Sequence, residues 1–156
     1  MELFRTAAGV KLNHVPFKGS SEAQTQVFNG EIPIMFDAIP GVLAPIKSGK
    51  LKALGIASAK RSQFLPDVPT IAEQGYPGFE SVGWIGIAAP ARTPEPVLKT
   101  LQVAIARALE HPDMKRRMSE LAFIPAGDSP AQFSAFIKAE NAKWAKAVKE
   151  SGAKVD

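Results

Sequence analysis

The sequence predicts an α/β protein whose strands run mostly parallel, with helices on the sheet faces. Three observations carry this reading. Short apolar runs alternate with helix-like stretches as far as about residue 60, and such alternation implies a parallel sheet. The run Ile32-Pro33-Ile34-Met35-Phe36 is nearly continuous in apolar residues, which suits a strand buried on both faces. Turn-prone residues then separate each run from the next helix, as at Lys18-Gly19-Ser20-Ser21 and Asn29-Gly30.

Composition sets the outer limits. The 156 residues are 46% hydrophobic and 22% charged, ordinary globular usage in a chain long enough to bury a core without crosslinks. Length alone favours one domain, with room for a second small lobe. There is no cysteine, which excludes disulfides and thiolate metal sites. The net charge is +4. Lys115, Arg116, Arg117, Lys138, Lys143, Lys146 and Lys149 fall in expected helices with acids interleaved, so the excess reads as solvated helix surface. No basic run carries interleaved aromatics, and nucleic-acid binding is not expected. A mildly positive field still draws small anions. No apolar stretch approaches the ~20 residues of a membrane-spanning helix. Met1-Glu2-Leu3-Phe4-Arg5 lacks a signal-peptide pattern and reads as a helix already under way.

In chain order, residues 2–8 read as a helix ended by Gly9, and Leu12 to Val15 as a short strand. Ser20 or Ser21 supplies a hydroxyl to cap the next helix. That helix carries Ala23, Val27 and Phe28 and stops at Asn29-Gly30. Ile32 to Phe36 is the next strand, with Pro33 marking its start or an edge. Gly41 to Ser48 forms a short helix, Leu51 to Ala57 a strand, and Thr70-Ile71-Ala72-Glu73 a capping box on a one-turn helix. Phe79 to Ala89 is the longest strand, interrupted by Gly83 and Gly86. Helix follows for most of the remainder. Pro94 starts a helix with the stripe Val97, Leu98, Leu101, Ile105, Ala108 and Leu109. Pro112 starts another, with Met114, Met118 and Leu121 inward. Phe123-Ile124 is a short strand, and Ser129-Pro130-Ala131-Gln132 boxes the start of the last helix. That helix is expected to bury Phe133, Phe136, Ile137, Trp144 and Val148. These later helices have too few strands to cover.

Ligands of open parallel sheets bind beyond the carboxyl ends of strands, and two segments qualify. In Phe17-Lys18-Gly19-Ser20-Ser21, glycine permits close approach, and the helix start offers unpaired N–H groups and partial positive charge to a carboxylate. The same residues also read as an ordinary loop with a serine cap. In Phe36-Asp37-Ala38-Ile39-Pro40, Asp37 accepts from a ligand or a water, or caps the helix near Ile39 or Pro40; with two oxygens it can do both. Trp84 lines a cleft or fills the core. His14 and His111 are far apart in sequence, with no cluster of other ligands, so no metal is expected. Ser20 or Ser21 with His14 leaves a serine hydrolase formally open, yet no nucleophile-elbow pattern is present. GxGxxG and Walker A motifs are absent. Binding is favoured over catalysis.

Taken together, several motifs resemble a known family. They are Val15-Pro16-Phe17-Lys18-Gly19, Met35-Phe36-Asp37, Ile46-Lys47-Ser48-Gly49-Lys50-Leu51, Ser58-Ala59-Lys60-Arg61-Ser62, Leu65-Pro66-Asp67-Val68-Pro69-Thr70 and Gly83-Trp84-Ile85-Gly86. In this order they resemble the substrate-binding receptors of tripartite tricarboxylate transporters, the Bug or TctC-like proteins. The resemblance implies a type II periplasmic binding protein-like fold: a two-lobed clamshell that closes on a small carboxylate in the periplasm and presents it to membrane permease subunits. It implies no enzyme activity and no cofactor. It assigns Phe17, Lys18, Gly19, Ser20, Phe36 and Asp37 to the cleft, with Trp84 near a crossing between lobes.

Family members are longer, so the chain is expected to be an incomplete clamshell. Residues 1–82 would be the second lobe without its N-terminal part. Residues 83–156 would be a crossover strand and C-terminal helices that pack on the first lobe. Such a chain either exposes an apolar face or covers it with a second copy, as a homodimer. A truncated interaction module that no longer binds ligand is the competing reading.

Overall fold

The computed structural model describes residues 1–151; positions 152–156 of the expected C-terminal segment lie outside the described residues. Helices are the regular elements: α1 (Glu2–Ala8), α2 (Ser20–Phe28), α3 (Ile39–Lys47), α4 (Glu95–Glu110), α5 (Pro112–Glu120) and α6 (Pro130–Ser151). The chain forms two compact units, one built on Met1–Gly83 and the other on Trp84–Lys149.

The expected parallel sheet is not formed among the described residues. Leu12–Val15, Ile32–Phe36, Leu51–Ala57, Phe79–Ala89 and Phe123–Ile124 are not strands, and one parallel bridge, Ile56 to Thr70, stands in their place. The reason is pairing. An apolar run becomes a strand only where another segment lies about 4.8 Å away to take its N–H and C=O groups. Ile56 finds that neighbour at a single point: its N–H donates to the Pro69 carbonyl at 2.9 Å, and its carbonyl accepts from Ile71 N–H at 2.9 Å. Gly55 permits this approach, because a Cβ there would lie 2.7 Å from Gln74 Nε2 and 3.1 Å from Ile71 Cγ1.

The first unit gathers around Phe4. Its ring lies 5.7 Å from Phe36, 5.5 Å from Tyr76 and 6.0 Å from Phe79, the last two edge-on, an arrangement aromatic quadrupoles favour. Val42, Ile56, Leu65, Ile71 and Phe79 are buried in the same unit. The helix α1 that carries Phe4 ends at Gly9 as expected, and Glu2 and Arg5 pair across its first turn at 2.7 Å.

Thr70 is only 2% exposed, and its partner Glu73 closes the expected capping box in both directions. Thr70 N–H donates to Glu73 Oε2 at 2.6 Å, and Glu73 N–H donates to Thr70 Oγ1 at 3.0 Å. The box closes a turn rather than a one-turn helix. Arg61 Nε also donates to Glu73 Oε2, at 3.0 Å.

The second unit is thinner. α4 packs beside α5. Ser129 and Gln132 box the start of α6: Ser129 N–H donates to Gln132 Oε1 at 3.0 Å and Gln132 N–H to Ser129 Oγ at 3.3 Å. Trp84, Phe133 and Phe136 form an aromatic cluster with centroid separations of 5.5, 5.6 and 6.3 Å. Gly86 lets the chain pass against this cluster, since a Cβ there would lie 2.2 Å from Phe133 Cζ.

The helix stripes of this unit are less buried than their periodicity predicts. Val97, Leu101, Phe136, Trp144 and Val148 are exposed, because the unit supplies no second apolar layer over them. Trp144 is not core: its indole N–H donates to Glu140 Oε2 at 2.9 Å. Glu140 is buried and also pairs with Lys143, whose hydrogen bond holds the Glu140 carboxyl below its ordinary pKa.

Glu73 yields a pH prediction. Hydrogen bonds from Arg61, then from Thr70 N–H, lower its carboxyl from 4.5 to about 2. A depressed carboxyl stabilises the fold above its ordinary pKa, and that contribution is lost as pH falls from 4.5 toward 2. Glu73→Gln is therefore expected to lower Tm at pH 7, and the difference from the unsubstituted chain should shrink steadily as pH falls from 4.5 through about 2, as read by thermal circular dichroism across pH.

Candidate functional site

The two turns singled out in the sequence meet. Ser20, the first residue of α2, donates its hydroxyl to Asp37 Oδ1 at 2.8 Å. The same Oδ1 accepts from Ala38 N–H at 2.8 Å. The other oxygen, Oδ2, accepts from Gln24 Nε2 of α2 at 3.0 Å. A carboxylate just before α3 thus holds two positions one turn apart on α2.

This corrects both capping expectations. Neither Ser20 nor Ser21 caps α2: the N-cap is Gly19, and no side chain caps that helix end. Ser20 stands one position too late, inside the first turn, which leaves its hydroxyl available to Asp37. Glu22 reaches back instead, accepting from Lys18 N–H at 3.2 Å. Asp37 does not cap α3 either; the N-cap is Ala38, and Asp37 lies one residue ahead of it.

Gln24 and Gly41 belong to the same arrangement and were missed from sequence. Gln24 Nε2 also donates to the Gly41 carbonyl at 3.3 Å. That carbonyl needs a partner for a local reason. In a helix it would accept from the residue four positions on, and that residue is Pro45, inside α3 and without an N–H. Gln24 therefore supplies the bond that Pro45 cannot. Gly41-x-x-x-Pro45 was a legible sign that a carbonyl needed an outside donor; which donor was not legible.

The other expected residues distribute as follows. Phe17 is half-buried, and Lys18 and Gly19 are exposed on the turn before α2. Phe36 is half-buried with its ring against Phe4, so the aromatic cluster of the first unit anchors the residue next to Asp37. Trp84 belongs to the second unit, 46% exposed, with its ring edge-on to Phe133 and Phe136. His14 is exposed and is not the partner of the Ser20 hydroxyl.

Residues 1–153 match the family described as tripartite tricarboxylate transporter family receptor. The chain belongs to that family. Among solved structures, the backbone of this receptor-family chain is similar to R. palustris Rpa4515 with adipate, at TM-score 0.84 and 32% identity, covering 97% of this chain and 50% of that one. It is similar to the periplasmic binding protein BugD at TM-score 0.81 and 33% identity, over 98% of this chain and 52% of that one. MatC from Rhodopseudomonas palustris with bound malate matches at TM-score 0.79 and 33% identity, over 94% and 51% of the two chains. The chain spans about half the length of these proteins and of the first curated relatives it matches. The fold is thus of the periplasmic solute-binding type, and the family is one of receptors rather than enzymes.

Within this receptor-family chain Gln24 has a measurable role. Gln24→Ala removes the donor shared by Asp37 and the Gly41 carbonyl. It is expected to cost about 1–2 kcal/mol in urea unfolding, because two acceptors lose a partner. Hydrogen exchange at the Ala38 amide, which Asp37 also holds, should speed up.

Proposed function

We propose that the chain is the solute-binding component of a tripartite tricarboxylate-type transporter, or part of that component, and that it holds a small carboxylate at the Ser20–Asp37 junction. One observation carries the reading: the 2.8 Å bond from Ser20 to Asp37 gathers the turns before α2 and α3 at one place. The start of α2 has no side-chain cap, so its first-turn N–H groups are available to an anion, and the helix dipole adds partial positive charge there. Adipate and malate, bound to the two neighbours above, support the ligand class.

The proposed ligand-facing residues of the first unit are Phe17, Lys18, Gly19, Ser20, Phe36 and Asp37; in the second unit, taken by itself, the candidate is Trp84. Backbone amides carry the carboxylate; Ser20 and Asp37 set the shape and polarity around it. The intact receptor closes on its ligand, without covalent chemistry, in the periplasm, and hands it to membrane permease subunits. No helix among the described residues is long and apolar enough to cross a membrane.

A second reading rests on a separate observation. Ile85, Ile87 and Ile124 are 82%, 72% and 69% exposed, in the same unit as the exposed Val97, Leu101, Phe136 and Val148. Large apolar side chains left in water favour association, and the proposed cover is a second copy of the chain. Sedimentation velocity is expected to give a dimer, and Ile85→Lys with Ile87→Lys to shift it toward monomer. A monomer that does not self-associate up to high micromolar concentration contradicts the dimer.

Ligand binding is tested by calorimetry of the full chain against a panel of small mono-, di- and tricarboxylates. Saturable binding is expected. Asp37→Ala should weaken it by about 10-fold, because Ser20, Gln24 and Ala38 N–H all lose their acceptor and the two turns drift apart. Binding unaffected by Asp37→Ala would move the site elsewhere.

A further inference from the structure

We infer that the Ser20–Asp37–Gln24 arrangement reads a hydrogen-bond donor on the ligand, so that this chain prefers a carboxylate bearing a hydroxyl to the same carboxylate without one. The inference rests on the proposed binding function and names a narrower class of ligand for the same site. It follows from counting hydrogens. A serine hydroxyl has one hydrogen and two lone pairs, an ionised carboxylate only acceptors, and a side-chain amide nitrogen two hydrogens.

The Ser20 hydrogen is spent on Asp37 Oδ1 at 2.8 Å. Both hydrogens of Gln24 Nε2 are spent, one on Asp37 Oδ2 at 3.0 Å and one on the Gly41 carbonyl at 3.3 Å. Asp37 has none to give. What these side chains still offer to a neighbour is lone pairs alone. A ligand carboxylate placed against them would meet acceptor with acceptor. A hydroxyl placed there donates to Ser20 Oγ or to the remaining acceptor position on Asp37 Oδ2.

Gln24 cannot easily reverse this polarity. Turning its amide nitrogen outward would face its carbonyl oxygen toward Asp37 and leave the Gly41 carbonyl without the donor that Pro45 already fails to supply. The proline within α3 therefore fixes the direction of the whole chain of bonds. Ser20 and Asp37 lie partly in water, so the discrimination is modest rather than absolute: a single net hydrogen bond corresponds to about 3- to 10-fold in affinity.

The test is calorimetry of the full chain with two ligands that differ only by the hydroxyl, succinate and malate. Malate is expected to bind about 3- to 10-fold more tightly. Ser20→Ala should bring the ratio close to one. Asp37→Asn, which replaces an acceptor with a donor, should also lower it and provides a second route if Ser20→Ala folds poorly by circular dichroism. Equal affinities in the unsubstituted chain overturn the inference and leave the receptor reading standing. A malate preference that survives both substitutions overturns it as well, since another group then reads the hydroxyl. If neither binds while another carboxylate of the panel does, the inference falls and the receptor reading stands; if no carboxylate of the panel binds, both fall.

Discussion

The carboxylate of Asp37 is the constraint that joins α2 to the start of α3 in the first unit. It accepts from the hydroxyl of Ser20, the amide of Gln24 and the backbone N–H of Ala38, and thereby joins the beginnings of two helices. The need for it arises inside α3. Pro45 deprives the Gly41 carbonyl of its helical donor, Gln24 replaces that donor, and once Gln24 is committed its second hydrogen falls to Asp37. Local backbone chemistry in one helix thus determines the polarity of side chains on another.

Anchoring comes from the aromatic cluster. Phe36, adjacent to Asp37, lies against Phe4, and Phe4 in turn against Tyr76 and Phe79. Through this ring contact α1 helps hold the segment that carries the carboxylate. The second unit is differently made: its aromatic cluster of Trp84, Phe133 and Phe136 leaves Ile85, Ile87 and Ile124 in water. Apolar surface of that kind is where association with another surface gains most.

Helices were legible in the sequence because their signals are local. Gly9, Asn29-Gly30, Pro112 and the Ser129–Gln132 box each mark a boundary within a few residues. Strands were not, because an apolar run such as Ile32–Phe36 says nothing of whether a partner lies beside it. The meeting of Ser20 and Asp37 was half legible. Turn chemistry placed both segments at helix starts, which is where they lie. The hydroxyl, however, was read as a cap, and its true partner lies 17 positions away, beyond the reach of any local rule. Burial on α4 and α6 was over-read for a related reason: a stripe records which face is apolar, not whether anything covers it.

The central claim is that Ser20 and Asp37 are energetically one unit. A double-mutant cycle with Ser20→Ala, Asp37→Ala and the pair, followed by urea unfolding, measures this directly. The account predicts a coupling of about 0.5–1 kcal/mol, since either single change already removes the bond and the second costs less than it would alone. Additivity within about 0.3 kcal/mol would contradict it, leaving the two residues as neighbours with no interaction between them.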